Sequence, residues 1–182
     1  MSWLRNSVLT ALILPTVAVA GEWENTLLLE SRWFSDAPLD AEQARNSASL
    51  GLEMEYYTEL GESGAALTIT SFVRLDSADD ERTHADLREA FVYWGKGDWE
   101  FRAGLSKVFW GVTESQHLVD VINQTDAVEN LDGEDKLGQP MIRLTTVRDS
   151  GTWTLFALPV HRQATFPGSG GRFRTPLVVD TD

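Results

Sequence analysis

The sequence contains no cysteine and few positively charged residues. The absence of cysteine excludes disulfides, thiolate metal sites, a cysteine nucleophile and a lipid-anchored N-terminal cysteine. Only 15 Lys and Arg residues stand against 28 Asp and Glu residues, and the net charge of −13 argues against nucleic acid or an anionic membrane surface as the main partner. With 182 residues, 42% of them hydrophobic, the chain has the size of one globular domain and is too apolar to be disordered.

The chain also lacks an apolar run long enough for a transmembrane helix. The longest candidate, residues 8–20, contains Pro15 and is shorter than the about 20 residues that a spanning helix needs. Arg5 precedes this run, and the small residues Ala18-Val19-Ala20 end it, which is the pattern of a secretory signal with its cleavage site. We therefore expect residues 1–20 to be a cleaved signal, so that any membrane crossing would be made by strands.

The rest of the chain, residues 21–182, consists mainly of segments in which apolar and polar side chains alternate, the pattern of half-buried strands. The predicted strands are 23–33, 48–57, 65–74, 86–94, 99–106, 141–147 and 152–158. Short turns at 61–64, 95–98 and 148–151 alternate with longer connections, as they do in outer-membrane barrels. We predict an all-β fold, an antiparallel up-and-down transmembrane β-barrel; a secreted β-sandwich is the alternative, but it does not require this order of connection lengths.

Tryptophan is abundant, with seven residues in a short chain. Trp23 and Trp33 are ten residues apart, roughly 33 Å along a strand, which is about the height of a tilted membrane strand. Aromatic residues of membrane barrels form girdles at both interfaces. The predicted girdle residues are Trp23, Trp94, Trp99 and Trp153 at the short-turn ends and Trp33 at the other end.

The number of strands indicates an incomplete barrel. Seven strands are clear, and residues 173–179 would be an eighth despite Pro176. Bacterial single-chain barrels have an even number of strands, with eight as the minimum. The last residues also lack the terminal aromatic side chain that outer-membrane barrels usually present to their assembly machinery. We expect residues 21–182 to be the N-terminal part of a larger barrel, with about seven or eight of its strands.

A family resemblance is carried by the segment Lys107-Val-Phe-Trp-Gly-Val-Thr-Glu-Ser-Gln-His-Leu-Val-Asp-Val-Ile-Asn-Gln-Thr-Asp126 and, upstream, by Leu87-Arg88-Glu89-Ala90-Phe91. Over residues 86–145 the chain resembles porin-like outer-membrane β-barrels of Gram-negative bacteria, of uncharacterised and alginate-export type. The resemblance implies a location in the bacterial outer membrane. It also implies contact with outer-membrane lipids and lipopolysaccharide, and insertion by the barrel-assembly machinery.

The connection 107–139 is long and partly apolar. Thr113 can cap a short helix that has Gln116 at its third position, and the apolar residues that follow give the helix one apolar side. Such a segment is expected to fold against the barrel wall and narrow the lumen; a loop that caps the barrel or docks on its outer rim is the alternative. The candidate constriction residues are Trp110, Thr113, Glu114, His117, Asp120, Asn123 and Asp126.

Charged residues occupy the polar faces of the predicted strands. A water-filled lumen would keep them solvated, and opposed walls of Glu and Arg would create a transverse field that orients polar solutes. The alternative is a closed lumen filled by ion pairs. The candidate lumen-lining residues are Glu24, Glu30, Arg32, Glu53, Glu55, Arg74, Glu100 and Arg102.

Neither a metal site nor a catalytic site is predicted. The acidic cluster Asp126, Glu129, Asp132, Glu134 and Asp135 has carboxylates that calcium could use, but its spacing does not match an EF-hand. Of the histidines His84, His117 and His161, only His117 has a nearby serine, Ser115. Two residues apart on a short helix, these side chains would not face each other, and no third catalytic group can be named.

The expected function is that of an outer-membrane porin-like channel for passive diffusion of small hydrophilic solutes, without a cofactor. A structural or adhesion-type barrel with a closed lumen is the alternative, and a barrel hydrolase is a third. Whether the protein forms a homo-oligomer is left open.

Overall fold

The computed structural model describes residues 7–13, 21–109 and 121–179. These residues form one antiparallel sheet in which each strand pairs with its neighbours in the chain. The strands are β1 (Ser7–Ile13), β2 (Glu22–Trp33), β3 (Asn46–Glu59), β4 (Ala65–Asp76), β5 (His84–Lys96), β6 (Trp99–Ser106), β7 (Gln139–Arg148) and β8 (Gly151–Ala157). The described residues 21–109 and 121–179 contribute seven strands, β2–β8, as predicted. Strand β1 was not predicted, and it lies inside the expected signal, whose cleavage stays a prediction.

The predicted all-β, up-and-down arrangement is confirmed. The prediction of a possible eighth strand at residues 173–179 is wrong. This segment forms turns and bends. Pro176 has no N–H group for a ladder, and the side chain of Arg174 donates hydrogen bonds to the carbonyl oxygens of Thr175 and Pro176, at 3.2 and 3.1 Å. Local hydrogen bonds therefore replace strand pairing here.

The sheet is open. Within the described residues, β1 pairs only with β2 and β8 pairs only with β7. In the same part of the chain, no helix is long and apolar enough to cross a membrane.

The two faces of the sheet differ sharply in chemistry. Residues directly opposite each other on antiparallel strands share a face, and the register places the predicted girdle residues Trp23, Trp33, Trp94, Trp99 and Trp153 on one face, which we call the outer face. Between the Trp residues this face exposes large aliphatic side chains, among them Leu29, Leu50, Val73, Leu87, Val92, Ile142, Leu144 and Leu155. The opposite face, which we call the inner face, carries most of the charged side chains.

The buried apolar side chains lie on the inner side. Phe72 on β4 is fully buried, and Phe91 on β5 and Met141 on β7 are also buried. Val128 and Leu137, both in the connection between β6 and β7, complete this small core. The second described part of that connection, residues 121–138, therefore packs against the inner face of the sheet.

A β-bulge in β5 interrupts the alternation of its two faces. Thr70 lies opposite Glu89, but Ser71 lies opposite Leu87, so Arg88 is the extra residue. Arg88 pairs with Glu53 of the inner face, at 2.5 Å. Because of the bulge, Leu87 lies on the outer face, whereas the consecutive residues Arg88 and Glu89 both lie on the inner face.

Candidate functional site

The eight candidate lumen-lining residues share the inner face. Glu24 lies opposite Glu55, Glu53 lies opposite Phe72, and Phe72 and Arg74 are both inner-face residues of β4. The complete set by strand is Glu24, Glu30 and Arg32 on β2, Glu53 and Glu55 on β3, Arg74 on β4, and Glu100 and Arg102 on β6. The alternation thus grouped these residues correctly, whereas their contact with a water-filled lumen stays a prediction.

A buried ion network occupies the end of the inner face that lies near the long connections. Glu129 binds Arg74 through both carboxylate oxygens, at 2.6 and 2.9 Å. Arg82 pairs with Asp76 at 2.7 Å and with Glu30 at 3.2 Å. The side chains of Arg74, Arg82, Asp76 and Glu129 are all less than a tenth exposed. Because buried charges are tolerated only when they are paired and hydrogen-bonded, this network requires each of its members.

Arg82 and Asp76 are the members of the network that the sequence analysis missed. Arg82 lies in the connection 77–83, outside the alternating segments that drew attention to the other residues. Burial alone would lower the pKa of Arg82, but the carboxylates of Glu30 and Asp76 outweigh it and hold the pKa above its usual value. Arg82 also donates a hydrogen bond to the carbonyl oxygen of Val128, at 3.2 Å, and so ties the connection 121–138 to the sheet.

Three carboxylates of the acidic cluster in this connection bind three different partners. Glu129 faces Arg74, and the Thr165 hydroxyl donates to Asp126 at 2.5 Å. Asp135 accepts from Asn130 at 2.6 Å. No three His, Cys, Asp or Glu side chains in the described part of the chain are grouped so that they could hold a metal ion.

Most of the candidate constriction residues, Trp110, Thr113, Glu114, His117 and Asp120, lie outside the described residues, as do Ser115 and the expected helix cap. Asn123 and Asp126 are described, and both are buried. Asn123 donates to the carbonyl oxygens of Ser106 and Leu137, at 2.9 Å each, and accepts the N–H of Val108 at 2.8 Å. Asn123 therefore fastens the two ends of the connection together.

The inner face is also laterally divided by charge. On β2 and β3, Glu24 lies directly opposite Glu55. On β6 and β7, Arg102 lies directly opposite Arg143, with Glu100 two residues away on the same face. The guanidinium of Arg102 lies 4.1 Å from the centre of the Phe91 ring. The inner face of β2 and β3 is thus mainly acidic, whereas that of β6 and β7 carries two Arg residues and one Glu.

A segment after β8, residues 159–179, crosses the inner side of the sheet at its long-connection end; we call it the strap. Its first part contacts β7, where the side chain of Gln139 accepts a hydrogen bond from the N–H of Arg162 at 3.2 Å. The guanidinium of Arg162 pairs with Asp86 on β5 and donates to the carbonyl oxygen of Gly138 at 3.2 Å. These contacts hold the first part of the strap on the inner edge of β5 and β7.

The second part of the strap lies on the connections that precede β3 and β5. The N–H of Gly168 donates to both carboxylate oxygens of Asp79, at 3.1 Å each. Burial raises the pKa of Asp79, although the hydrogen bond from Gly168 opposes that shift. Further on, the ring of Phe173 packs edge-on against Phe34, and Arg174 pairs with Asp40 at 2.8 Å. The strap therefore spans from β7 to the connection between β2 and β3.

A cleft of about 300 Å³ lies between the strap, the connection 121–138 and the first residues of β5. It is lined by His84, Asp86, Asp126, Leu137, Arg162 and Phe166, among others. The Nδ1 atom of His84 lies 3.2 Å from the carbonyl oxygen of Arg82. Two pairs of polar groups in this lining bind each other, Arg162 with Asp86 and Thr165 with Asp126.

The comparisons with known proteins do not identify a family. No model of a protein family matches the chain, and no curated protein or solved structure matches it. The resemblance to porin-like barrels noted in residues 86–145 therefore stays a prediction.

Proposed function

We propose that this chain forms the wall of an outer-membrane porin-like channel through which small hydrophilic solutes diffuse passively. The observation that carries the proposal is the division of the sheet into an exposed aliphatic outer face, with Trp residues at both of its ends, and a charged inner face. A sheet of this kind suits a position between lipid and water.

The outer face supports a lipid environment. Soluble monomers rarely expose contiguous apolar patches larger than a few hundred Å². Here exposed aliphatic side chains lie on six of the seven strands from β2 to β8, while β6 exposes Trp99; Leu155 on β8 is 68% exposed. Trp and Tyr are favoured at membrane interfaces because their rings are amphipathic. Lipid tails therefore fit this face better than water.

The inner face supports an aqueous path. Glu24 and Glu55 on one side and Arg102 and Arg143 on the other would create a field across such a path, with which polar solutes can align. In lipid, the free edges of the sheet also need hydrogen-bonding partners, so the proposed channel requires further strands, from a longer chain or a second copy.

A structural or adhesion-type barrel with a closed lumen is the second candidate. It is favoured by the buried network of Arg74, Arg82 and Glu129, because this network fills the long-connection end of the inner face with paired charges instead of water. The two candidates share the lipid-facing sheet and differ in whether solutes pass.

Swelling of proteoliposomes in isotonic solutions of sugars of increasing size distinguishes the two candidates. The full chain is reconstituted, and its folding is checked by its heat-modifiable mobility on gels. We expect swelling whose rate falls as the solute becomes larger, and no swelling with heat-denatured protein. Folded, inserted protein that passes none of the sugars would contradict the channel and support the closed barrel.

A further inference from the structure

We propose that the strap, residues 159–179, is the element that limits the size of the solutes passing the long-connection end of the channel, and that it is fastened there by Arg162 and by the glycines at 168–171. The proposal rests on the channel proposed above. It assigns to the strap a role that the sequence analysis gave to the connection 107–139.

The strap crosses the inner face of the sheet near the long connections. Its partners Gln139 and Asp86 belong to the inner face, at the ends of β7 and β5 nearest the long connections. At its other end, Phe173 lies under the guanidinium of Arg32, an inner-face residue near the end of β2. A chain that touches β7, β5 and β2 in this order crosses the mouth of any channel that the inner face lines.

Two sets of contacts hold the strap against the rest of the chain, and we call each a fastener. The first fastener is formed by the guanidinium group of Arg162. Arg162 pairs with Asp86 through Nη2, while its Nη1 donates to the carbonyl oxygens of Gly138 and Leu87, at 3.2 and 3.5 Å. The acceptors come from β5 and from the residue before β7. Because charge-assisted hydrogen bonds are the strong ones, this contact holds the strap more firmly than backbone contacts alone would.

The second fastener depends on the absence of side chains. A Cβ atom on Gly170 would lie 2.0 Å from the carbonyl oxygen of Ala78, and one on Gly168 would lie 2.7 Å from a carboxylate oxygen of Asp79. The strap can therefore approach the connection 77–83 only because these positions are glycine. A larger residue at position 170 must lift the strap from this connection without changing any charge.

Cysteine labelling tests the fasteners independently of solute flux. The chain has no cysteine, so Val128→Cys introduces a single thiol at a buried position in the cleft wall, between the connection 121–138 and the strap. The protein is folded in detergent, and the rate of labelling by a water-soluble maleimide is measured. We expect Gly170→Val and Arg162→Ala to raise that rate about tenfold or more, because the local opening that exposes position 128 becomes easier.

Ser169→Val is the matched control, since Ser169 is an exposed residue of the same strap, next to Gly170. We expect the control to label at the parent rate. Equal rates in the parent, Gly170→Val and Arg162→Ala would overturn the fastening. The two variants act on different fasteners, so a folding failure of one leaves the other as the test; heat-modifiable mobility identifies such a failure.

Flux then tests the size limit. In proteoliposomes, Gly170→Val is expected to pass trisaccharides and tetrasaccharides that the parent excludes, whereas Ser169→Val keeps the parent limit. An unchanged size limit in a variant with raised labelling would overturn the role of the strap while leaving the channel intact. If no protein, parent included, passes any sugar, the proposed channel fails, and the labelling rates still decide whether the strap is fastened as described.

Discussion

Glu129, in the connection between β6 and β7, holds both of its carboxylate oxygens against the guanidinium of Arg74 on β4, at 2.6 and 2.9 Å. The two residues are 55 positions apart in the sequence, and both side chains are almost fully buried. This contact ties the long connection to the inner face, and it explains why an acidic residue of the connection is not available to a metal ion.

Replacement of Glu129 by Gln should therefore be costly. The variant leaves the buried guanidinium of Arg74 without the carboxylate that binds it through both oxygens, and we expect the free energy of unfolding to fall by about 3 kcal/mol. Urea unfolding in detergent micelles measures the change. As a control, Arg148→Gln breaks the exposed pair with Asp98 and should cost less than about 1 kcal/mol. Equal losses in the two variants would refute a special role for the buried pair.

Adjacent residues of β7 test the assignment of the two faces. Leu144 lies on the outer face and Thr145 on the inner face. If lipid covers the outer face, Leu144→Arg should destabilise the protein in lipid vesicles by about 2–4 kcal/mol, whereas Thr145→Arg should be nearly neutral. The folded fraction on gels after urea titration reports both values. A larger loss for Thr145→Arg would show that the faces have been assigned the wrong way round.

Asn123 gives a prediction about the base of the long connection. Its side chain makes three hydrogen bonds to backbone groups, to Ser106, Leu137 and Val108. Asn123→Ala leaves these buried groups unpaired and should lower the free energy of unfolding by about 2–3 kcal/mol. Asn130→Ala, which removes one exposed hydrogen bond to Asp135, is the control. Equal losses of stability in the two variants would refute the claim that Asn123 holds the two ends of the connection together.

Asp79 gives a prediction about pH. Because burial raises the pKa of Asp79 above its ordinary value of 3.8, the folded state holds this proton more tightly than the unfolded state does. The stability that Asp79 contributes is therefore full below about pH 4, and it is lost as the pH rises through the raised pKa.

Asp79→Asn cannot titrate and serves as the reference. The stability of the parent minus that of Asp79→Asn should fall as the pH rises above about 4 and become constant once the pH exceeds the raised pKa. Unfolding by urea at a series of pH values measures this difference. A difference that is flat, or that rises with pH, would contradict the shift.

The strands could be predicted from the sequence because one face of each has a consistently different polarity from the other. From Trp99 to Leu105 the alternation has no interruption, and from Trp23 to Trp33 the two faces still differ in overall polarity; the structure begins and ends both strands within one residue of the prediction. In β5 the bulge at Arg88 shifts the alternation by one residue, which a period of two cannot represent.

The site was less predictable, because its partners are far apart in the sequence. Alternation placed Glu30 and Arg74 on one face, but nothing local shows that Arg82 and Glu129 complete their network. Glu129 was considered only as a member of an acidic cluster. The strap was overlooked because its role depends on glycines that fit against Ala78 and Asp79, and sequence spacing does not reveal such close approaches.

The most direct test of the central claim, that the outer face contacts lipid and the inner face lines water, is single-cysteine labelling along β7 in lipid vesicles. A water-soluble maleimide should label Arg143→Cys and Thr145→Cys but not Ile142→Cys and Leu144→Cys. In the bare sheet Ile142 and Leu144 are the more exposed residues, at 47% and 36%. Faster labelling at positions 142 and 144 would therefore contradict the account and indicate a sheet whose apolar face meets water.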